Sequence, residues 1–222
     1  NGKVQVEFVP QAKWEIDFIK YRPWNKNDTD FWLPFRIGKT LLERYNVKPI
    51  EYFNMVKEEN LEIESLKIGS KHCYGYFDKH GEVFKIYQPY SKKHKFHKVK
   101  SYIQGIDQLE YKEPYLVICS SLKDAMCLKS MGYNLEVISP DSENTMIKPH
   151  IIANLKKKFK NVITIFDNDD AGKHAVKRYA EAYGINGCIP TVCKDISDAM
   201  KEIGFDKTHA MLKPLLKHTL NK

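Results

Sequence analysis

Asp167, Asn168 and Asp169 follow the apolar run Val162-Ile163-Thr164-Ile165-Phe166 and precede Asp170-Ala171-Gly172-Lys173. A short buried strand ending on two carboxylates points to a cation. Side-chain direction repeats every two residues along extended chain, so Asp167 and Asp169 are expected to point the same way. Two like charges held that close need a counter-cation, and a site of hard oxygen ligands suits Mg²⁺ (or Mn²⁺). The carboxyl end of a strand in an open α/β sheet is also where ligands bind. Asp170 is the expected N-cap of the helix that follows, and Gly172 is expected to let that helix pack close to the strand.

The elements that must position these acids are legible from Tyr115 onward. The pattern predicts strands over 115–119, 135–138, 162–166 and 188–192. It predicts helices over 122–131, 149–159, 171–183 and 196–203, with a further helix over 207–220. Gly132 and Gly184 stop two of the helices. Strands alternating with helices of this length imply a parallel sheet covered on both faces. The first half differs. Residues 4–9 alternate like a strand, and 30–35 and 39–45 read as short helices. Residues 74–77, 83–87 and 96–99 read as strands joined by turns at 78–81 and 89–91. The expected architecture is α/β, a parallel sheet flanked by helices and preceded by a smaller mixed α+β unit with an antiparallel sheet. The expected division is 1–110 and 111–222.

Composition bounds the partner. A hydrophobic share of 42% with 29% charged residues describes a soluble globular chain, and no apolar run approaches membrane-spanning length. No stretch reads as a signal peptide, and a chain that starts at Asn1 is expected to be a piece of something longer. The net charge of +8 suggests an acidic polymer as partner, although solvated lysines account for it as well. The five cysteines form no CxxC pair, which argues against a zinc ribbon and fits reduced thiols in a cytoplasm, the host's if the source is viral. Lys92, Lys93, Lys95, His97, Lys98 and Lys100 lie close together, with Tyr87, Tyr90 and Tyr102 nearby. Cationic side chains track phosphates and aromatic faces stack bases, so this segment is the candidate nucleic-acid contact. If Phe96 is buried in its strand, Lys95 and His97 share the outer face. A charged, soluble hairpin is the alternative. Lys123 could likewise contact phosphate or simply be solvated. Gly38-Lys39-Thr40 lacks the glycine spacing of a P-loop.

The second half resembles the Toprim domain of DNA primases and primase-helicases, especially those of phage type. The matching pieces are Leu116-Val117-Ile118 with Lys123-Asp124-Ala125, Ser139-Pro140-Asp141-Ser142-Glu143, Phe166-Asp167-Asn168-Asp169-Asp170-Ala171-Gly172, and Lys194-Asp195-Ile196-Ser197-Asp198-Ala199. The first half is similar to the mixed subdomain that precedes Toprim, through Asp30-Phe31-Trp32, Tyr45-Asn46-Val47-Lys48-Pro49-Ile50 and Ile86-Tyr87-Gln88-Pro89. The resemblance implies a primase polymerase core. Such a core makes short RNA primers on single-stranded DNA from NTPs by metal-dependent nucleotidyl transfer during DNA replication. It also implies a helicase domain or subunit and a zinc-binding domain outside this chain, and no membrane partner.

One position departs from the family. Toprim enzymes carry a glutamate at the end of the first strand of the domain, and here Ser120 stands in its place. A serine can hydrogen-bond but cannot act as a base near neutral pH. Glu143 is therefore expected to complete a metal cluster with Asp167 and Asp169, with Asp141 as the other acid after the second strand. Asp124 is expected to hold the first turn in shape at the same rim. Asp195 and Asp198 follow the fourth strand, where the resemblance implies a metal or supporting role and capping of helix 196–203 explains Asp195 equally well. The alternative function is a catalytically impaired Toprim module that binds nucleic acid within a primase-helicase. A Toprim nuclease or topoisomerase is a third reading.

Overall fold

The structure, a computed structural model, describes residues 14–59, 62–142 and 144–221. The expected strand over 4–9 and Glu143 lie outside the described residues. No helix among those described is long and apolar enough to cross a membrane.

The second half builds a four-stranded parallel sheet in the order β10-β9-β7-β8. Its strands are β7 (Tyr115–Cys119), β8 (Leu135–Ile138), β9 (Asn161–Ile165) and β10 (Gly187–Cys188). The period-two rule divides their side chains between two cores. Val117, Cys119, Val137, Ile163 and Ile165 lie in one cluster with α3 (Leu122–Lys129) and α6 (Ile196–Leu220). Leu116, Ile118, Ile138 and Val162 lie in the other, with α4 (Pro149–Lys158) and α5 (Asp170–Tyr183). These strands are buried on both faces, which is why they read as unbroken apolar runs.

Several boundaries differ from expectation. The strand expected over 188–192 is only the two residues of β10, and Pro190, which has no N–H to give a ladder, follows it. The helices expected over 196–203 and 207–220 form one element broken at Gly204, whose φ of 77° lies in the left-handed region. The N-cap of α5 is Asp169, not Asp170.

The first half holds a six-stranded antiparallel sheet. Its strands are β1 (Glu15–Tyr21), β2 (Val47–Glu59), β3 (Glu62–Gly69), β4 (Tyr74–Phe77), β5 (Val83–Tyr87) and β6 (Phe96–Lys98). The main path runs β1-β2-β4-β5-β6, and β3 pairs with the far part of the long β2. Helix α1 (Lys26–Trp32) starts earlier than expected, because Asn25 and Asp28 form a reciprocal capping box. A 3₁₀ turn over Leu33–Phe35 follows it, and then α2 (Lys39–Arg44).

The two sheets are not independent layers. Trp32, Phe35, Tyr45, Tyr74, Tyr76, Phe84 and Tyr87 from the first half join the same core cluster as α3 and α6. Gln104 forms an isolated antiparallel bridge with Ser139 just beyond β8, and its side-chain amide donates to the Pro140 carbonyl at 2.7 Å. The carboxyl rim of the parallel sheet is thereby held against β4, β5 and β6.

Candidate metal centre and nucleic-acid cleft

Three carboxylates converge at that rim. Asp124, Asp167 and Asp195 each offer an oxygen, and these oxygens lie within 4.8 Å of one another. Each acid is placed by a different turn. Asp124 lies in the first turn of α3, whose N-cap Ser121 accepts the Asp124 N–H at 3.2 Å. Its carboxylate accepts from the Ser121 hydroxyl and, at 3.0 Å, from the Ser197 N–H. Asp195 caps α6, accepting from the Asp198 N–H at 2.6 Å and the Ser197 hydroxyl at 2.8 Å. Asp167 emerges just past β9, and its loop is docked by the Asn168 N–H on the Lys194 carbonyl at 2.6 Å. Gly172 is the tightest constraint here. A Cβ at that position would sit 2.1 Å from the Asp167 carbonyl oxygen, so only glycine lets α5 start so close.

The cluster has the charge to attract a cation. Asp124 is 3% exposed, and burial, then the charge of Asp195, push its carboxyl up to about 6. Three acids with their oxygens this close repel one another unless protonated or neutralised by a cation. An all-carboxylate donor set fits a hard divalent ion. Ser120 lines the same pocket beside Asp124, Asp167 and Asp195, and adds a hydroxyl where a carboxylate was expected from the resemblance.

The alternation expected to align Asp167 with Asp169 does not reach them, because β9 ends at Ile165. Asp169 instead turns its Oδ1 to the Gly172 N–H at 2.9 Å, and that bond, with Lys194, holds its carboxyl below the usual range. The two acids are related through Lys194, whose Nζ lies 3.7 Å from Asp167 Oδ2 and 3.1 Å from Asp169 Oδ2. Asp141 is buried among lysines. Lys98 forms an ion pair with its Oδ2, and Lys85 Nζ lies 3.9 Å from its Oδ1 and donates to its backbone carbonyl at 2.6 Å.

The acids open onto a cleft of about 420 Å³ between the parallel sheet and the antiparallel one. Of the basic segment, Lys95 and Lys98 line this cleft, as does Lys123 from the opposite wall. Lys92 and Lys93 are exposed on the preceding turn. Lys100 is engaged elsewhere, with Asp78 at 2.7 Å and with Glu82. Lys123 lies 4.5 Å from the Phe35 ring centroid and 3.9 Å from Asp198.

The expected outer face of β6 is inverted. Phe96 is 47% exposed and pairs with Tyr87, Lys98 pairs with Lys85, and these four line the cleft. His97 pairs with Ile86 and packs edge-on to Phe53 on the other face, where burial pulls its pKa down. Lys85 went unnoticed in the sequence. Burial pulls its pKa down to about 8, and a single lysine inside the apolar strand Val-Phe-Lys-Ile-Tyr was the available signal.

Residues 117–212 match a family model described as Toprim-like. The fold is similar to that of the Aquifex aeolicus primase (zinc-binding and RNA polymerase domains), with a TM-score of 0.59 and 15% identity over 86% of this chain and 56% of that one. It is also similar to the primase fragment of the bacteriophage T7 primase-helicase protein, with a TM-score of 0.51 and 19% identity over 86% of this chain and 77% of that one. The chain thus spans about half the length of the Aquifex chain. No curated protein matches the sequence.

Proposed function

We propose that this chain, which carries a Toprim-like domain over residues 117–212 within a fold shared with primase polymerase cores, is itself the polymerase core of a DNA primase of phage type. It would join ribonucleotides into short primers on single-stranded DNA. The observation that carries this reading is the convergence of Asp124, Asp167 and Asp195 at one end of a cleft whose other wall bears Lys95 and Lys98. A negatively charged cluster facing cationic side chains suits a reaction that brings together a triphosphate, a nucleic-acid strand and a divalent ion.

Asp167, with Asp124 and Asp195, would hold Mg²⁺ or Mn²⁺. Asp169 borders this set through Lys194, and Glu143, which follows β8 in the sequence, is the further proposed ligand. When bound, such an ion would neutralise the charge that develops in nucleotidyl transfer. The rest is the chain's own work. Ser121 and Ser197 orient Asp124 by donating to its two oxygens. Lys194 sets the spacing between Asp167 and Asp169. Lys95 and Lys98 supply positive charge for phosphates along the opposite wall, with the exposed Lys92 and Lys93 at its approach. Ser120 contributes no base, so deprotonation of the attacking hydroxyl falls to other groups or to solvent. A helicase domain or subunit and a zinc-binding domain are the proposed neighbours in the replication machinery.

The test is de novo primer synthesis by the purified chain on single-stranded DNA with NTPs and Mg²⁺ or Mn²⁺. Synthesis that disappears in Asp167→Ala and Asp169→Ala, with the fold retained by circular dichroism, supports the reading. Oligonucleotide binding without any synthesis, in a protein that includes its neighbouring domains, would leave an impaired Toprim module instead.

A further inference from the structure

Phe96 lies on β6, the end strand of the antiparallel sheet's main path, and 47% of its surface is exposed. Its ring lies nearly parallel to that of Tyr87, with centroids 4.8 Å and planes 16° apart. Tyr87 is itself buried and so sets the orientation of the Phe96 ring in advance, and the Lys85 ammonium lies 5.5 Å from the same ring's centroid. The ring also sits on a divide. It lines the cleft that contains the acidic cluster, and it lines a second cavity of about 420 Å³ walled by Trp14, Ile16, Met55 and His97. Lys98 lines both cavities as well. The two spaces therefore share Phe96 and Lys98 of β6 as a common border. Lys95 adjoins it, and Lys92 and Lys93 lie exposed on the turn that leads into it.

We propose that Phe96 is a base-stacking residue over which single-stranded nucleic acid passes from the second cavity toward the acidic cluster, with Lys95, and Lys98 in exchange for its Asp141 partner, contacting the phosphates on either side of the stacked base. The proposal rests on the reading of the cleft as a nucleic-acid site and assigns it a path. A mononucleotide would occupy one cavity, whereas a border common to two cavities serves a chain that spans both. A ring already held by Tyr87 offers a π-face with little left to order, and every base has a matching face, so the grip does not depend on sequence. The lysines add an attraction that falls with salt.

Fluorescence anisotropy of a labelled oligo(dT) with the whole chain tests this. Phe96→Leu, which keeps bulk and removes the ring, is expected to weaken binding about tenfold, with the salt dependence unchanged. Phe96→Trp is expected to bind at least as tightly as the native chain, and Lys95→Gln to reduce the salt slope by about one. Native-like binding by Phe96→Leu, equal losses in the Leu and Trp variants, or no measurable binding by the native chain would each overturn it. Primer synthesis on the same samples separates the two ideas. A native chain that makes primers beside a Phe96→Leu variant that binds normally defeats the stacking role alone. A native chain that makes none, beside a variant that loses binding, leaves the stacking role standing and defeats the primase reading.

Discussion

The backbone N–H of Ser197 donates to Asp124 Oδ1 at 3.0 Å, and so ties the first turn of α3 to the first turn of α6 across 73 residues of chain. The bond draws Asp124 beside Asp195, the cap of α6, and it is made at the point where two like charges most need separating. It compensates part of the cost of burying Asp124, but not all of it, since burial still pushes that carboxyl up to about 6 from an ordinary 3.8.

The consequence is a stability that depends on pH in a stated direction. Between about pH 4 and 6 the folded protein keeps the Asp124 proton that the unfolded chain has released. The contribution of this group is therefore full below about pH 4 and is lost as pH rises through about 6. Asp124→Asn is expected to remove that slope and to be more stable than the native chain at pH 7 in the absence of divalent ions. Urea unfolding at several pH values checks this, and parallel curves for the two proteins would contradict it. Mn²⁺ at pH 7 is expected to stabilise the native chain by about 3 kcal/mol at a hundredfold excess over its Kd, and to leave Asp124→Asn little changed.

Asp169 has a structural duty that can be separated from chemistry. Asparagine caps a helix as well as aspartate does, whereas alanine does not. Asp169→Asn is expected to keep native stability and lose primer synthesis, and Asp169→Ala to lose synthesis and about 1 kcal/mol besides. Thermal melts alongside the synthesis assay separate the two effects. Full activity in Asp169→Asn would reduce Asp169 to its cap.

Gly172→Ala places a methyl group 2.1 Å from the Asp167 carbonyl oxygen. The start of α5 or the Asp167 loop must shift, at an expected cost of about 1–3 kcal/mol. Because the shift falls on Asp167, the Mn²⁺-dependent stabilisation is expected to shrink as well. An unchanged Mn²⁺ response would show that Asp167 does not contribute to the ion.

Outside the cleft, Arg22 grips Asp28 through two bonds of 2.6 and 2.8 Å, and the Tyr74 hydroxyl donates to the same carboxylate at 2.9 Å. Burial alone would raise the Asp28 carboxyl, but its hydrogen bonds, above all the one from Arg22, leave it below its ordinary value. Arg22→Met strands a carboxylate that is 1% exposed, and is expected to cost about 3–5 kcal/mol at neutral pH. The loss is expected to shrink as pH falls, because without Arg22 burial raises the Asp28 carboxyl and it takes up a proton above its ordinary range. A loss under 1 kcal/mol at pH 7 would show that water reaches the site.

The parallel sheet was readable because its strands are buried on both faces, which leaves uninterrupted apolar runs such as Leu116-Val117-Ile118 between helix caps. Strands β1, β2 and β3 were not expected. Their one-sided burial mixes lysines and glutamates with Ile19, Phe53 and Ile68, and the hairpin of β2 with β3 presents a largely exposed surface that carries little apolar signal. Lys85 was overlooked and Phe96 misread for a related reason. In β5 and β6 a lysine is buried against Asp141 while a phenylalanine is left half exposed, the reverse of what their chemistry alone suggests.

What the sequence by itself determined was local: the strand that delivers Asp167, the helix that Asp169 starts, the glycine between them, and the replacement of an expected glutamate by Ser120. Which carboxylates meet was decided only in three dimensions. Asp195 joins Asp124 and Asp167 because the turns that follow β7, β9 and β10 open on the same rim of a parallel sheet. Strand order is set by pairing between segments distant in the chain, above all β7 with β9, and no local pattern of residue types encodes a distance across such a gap.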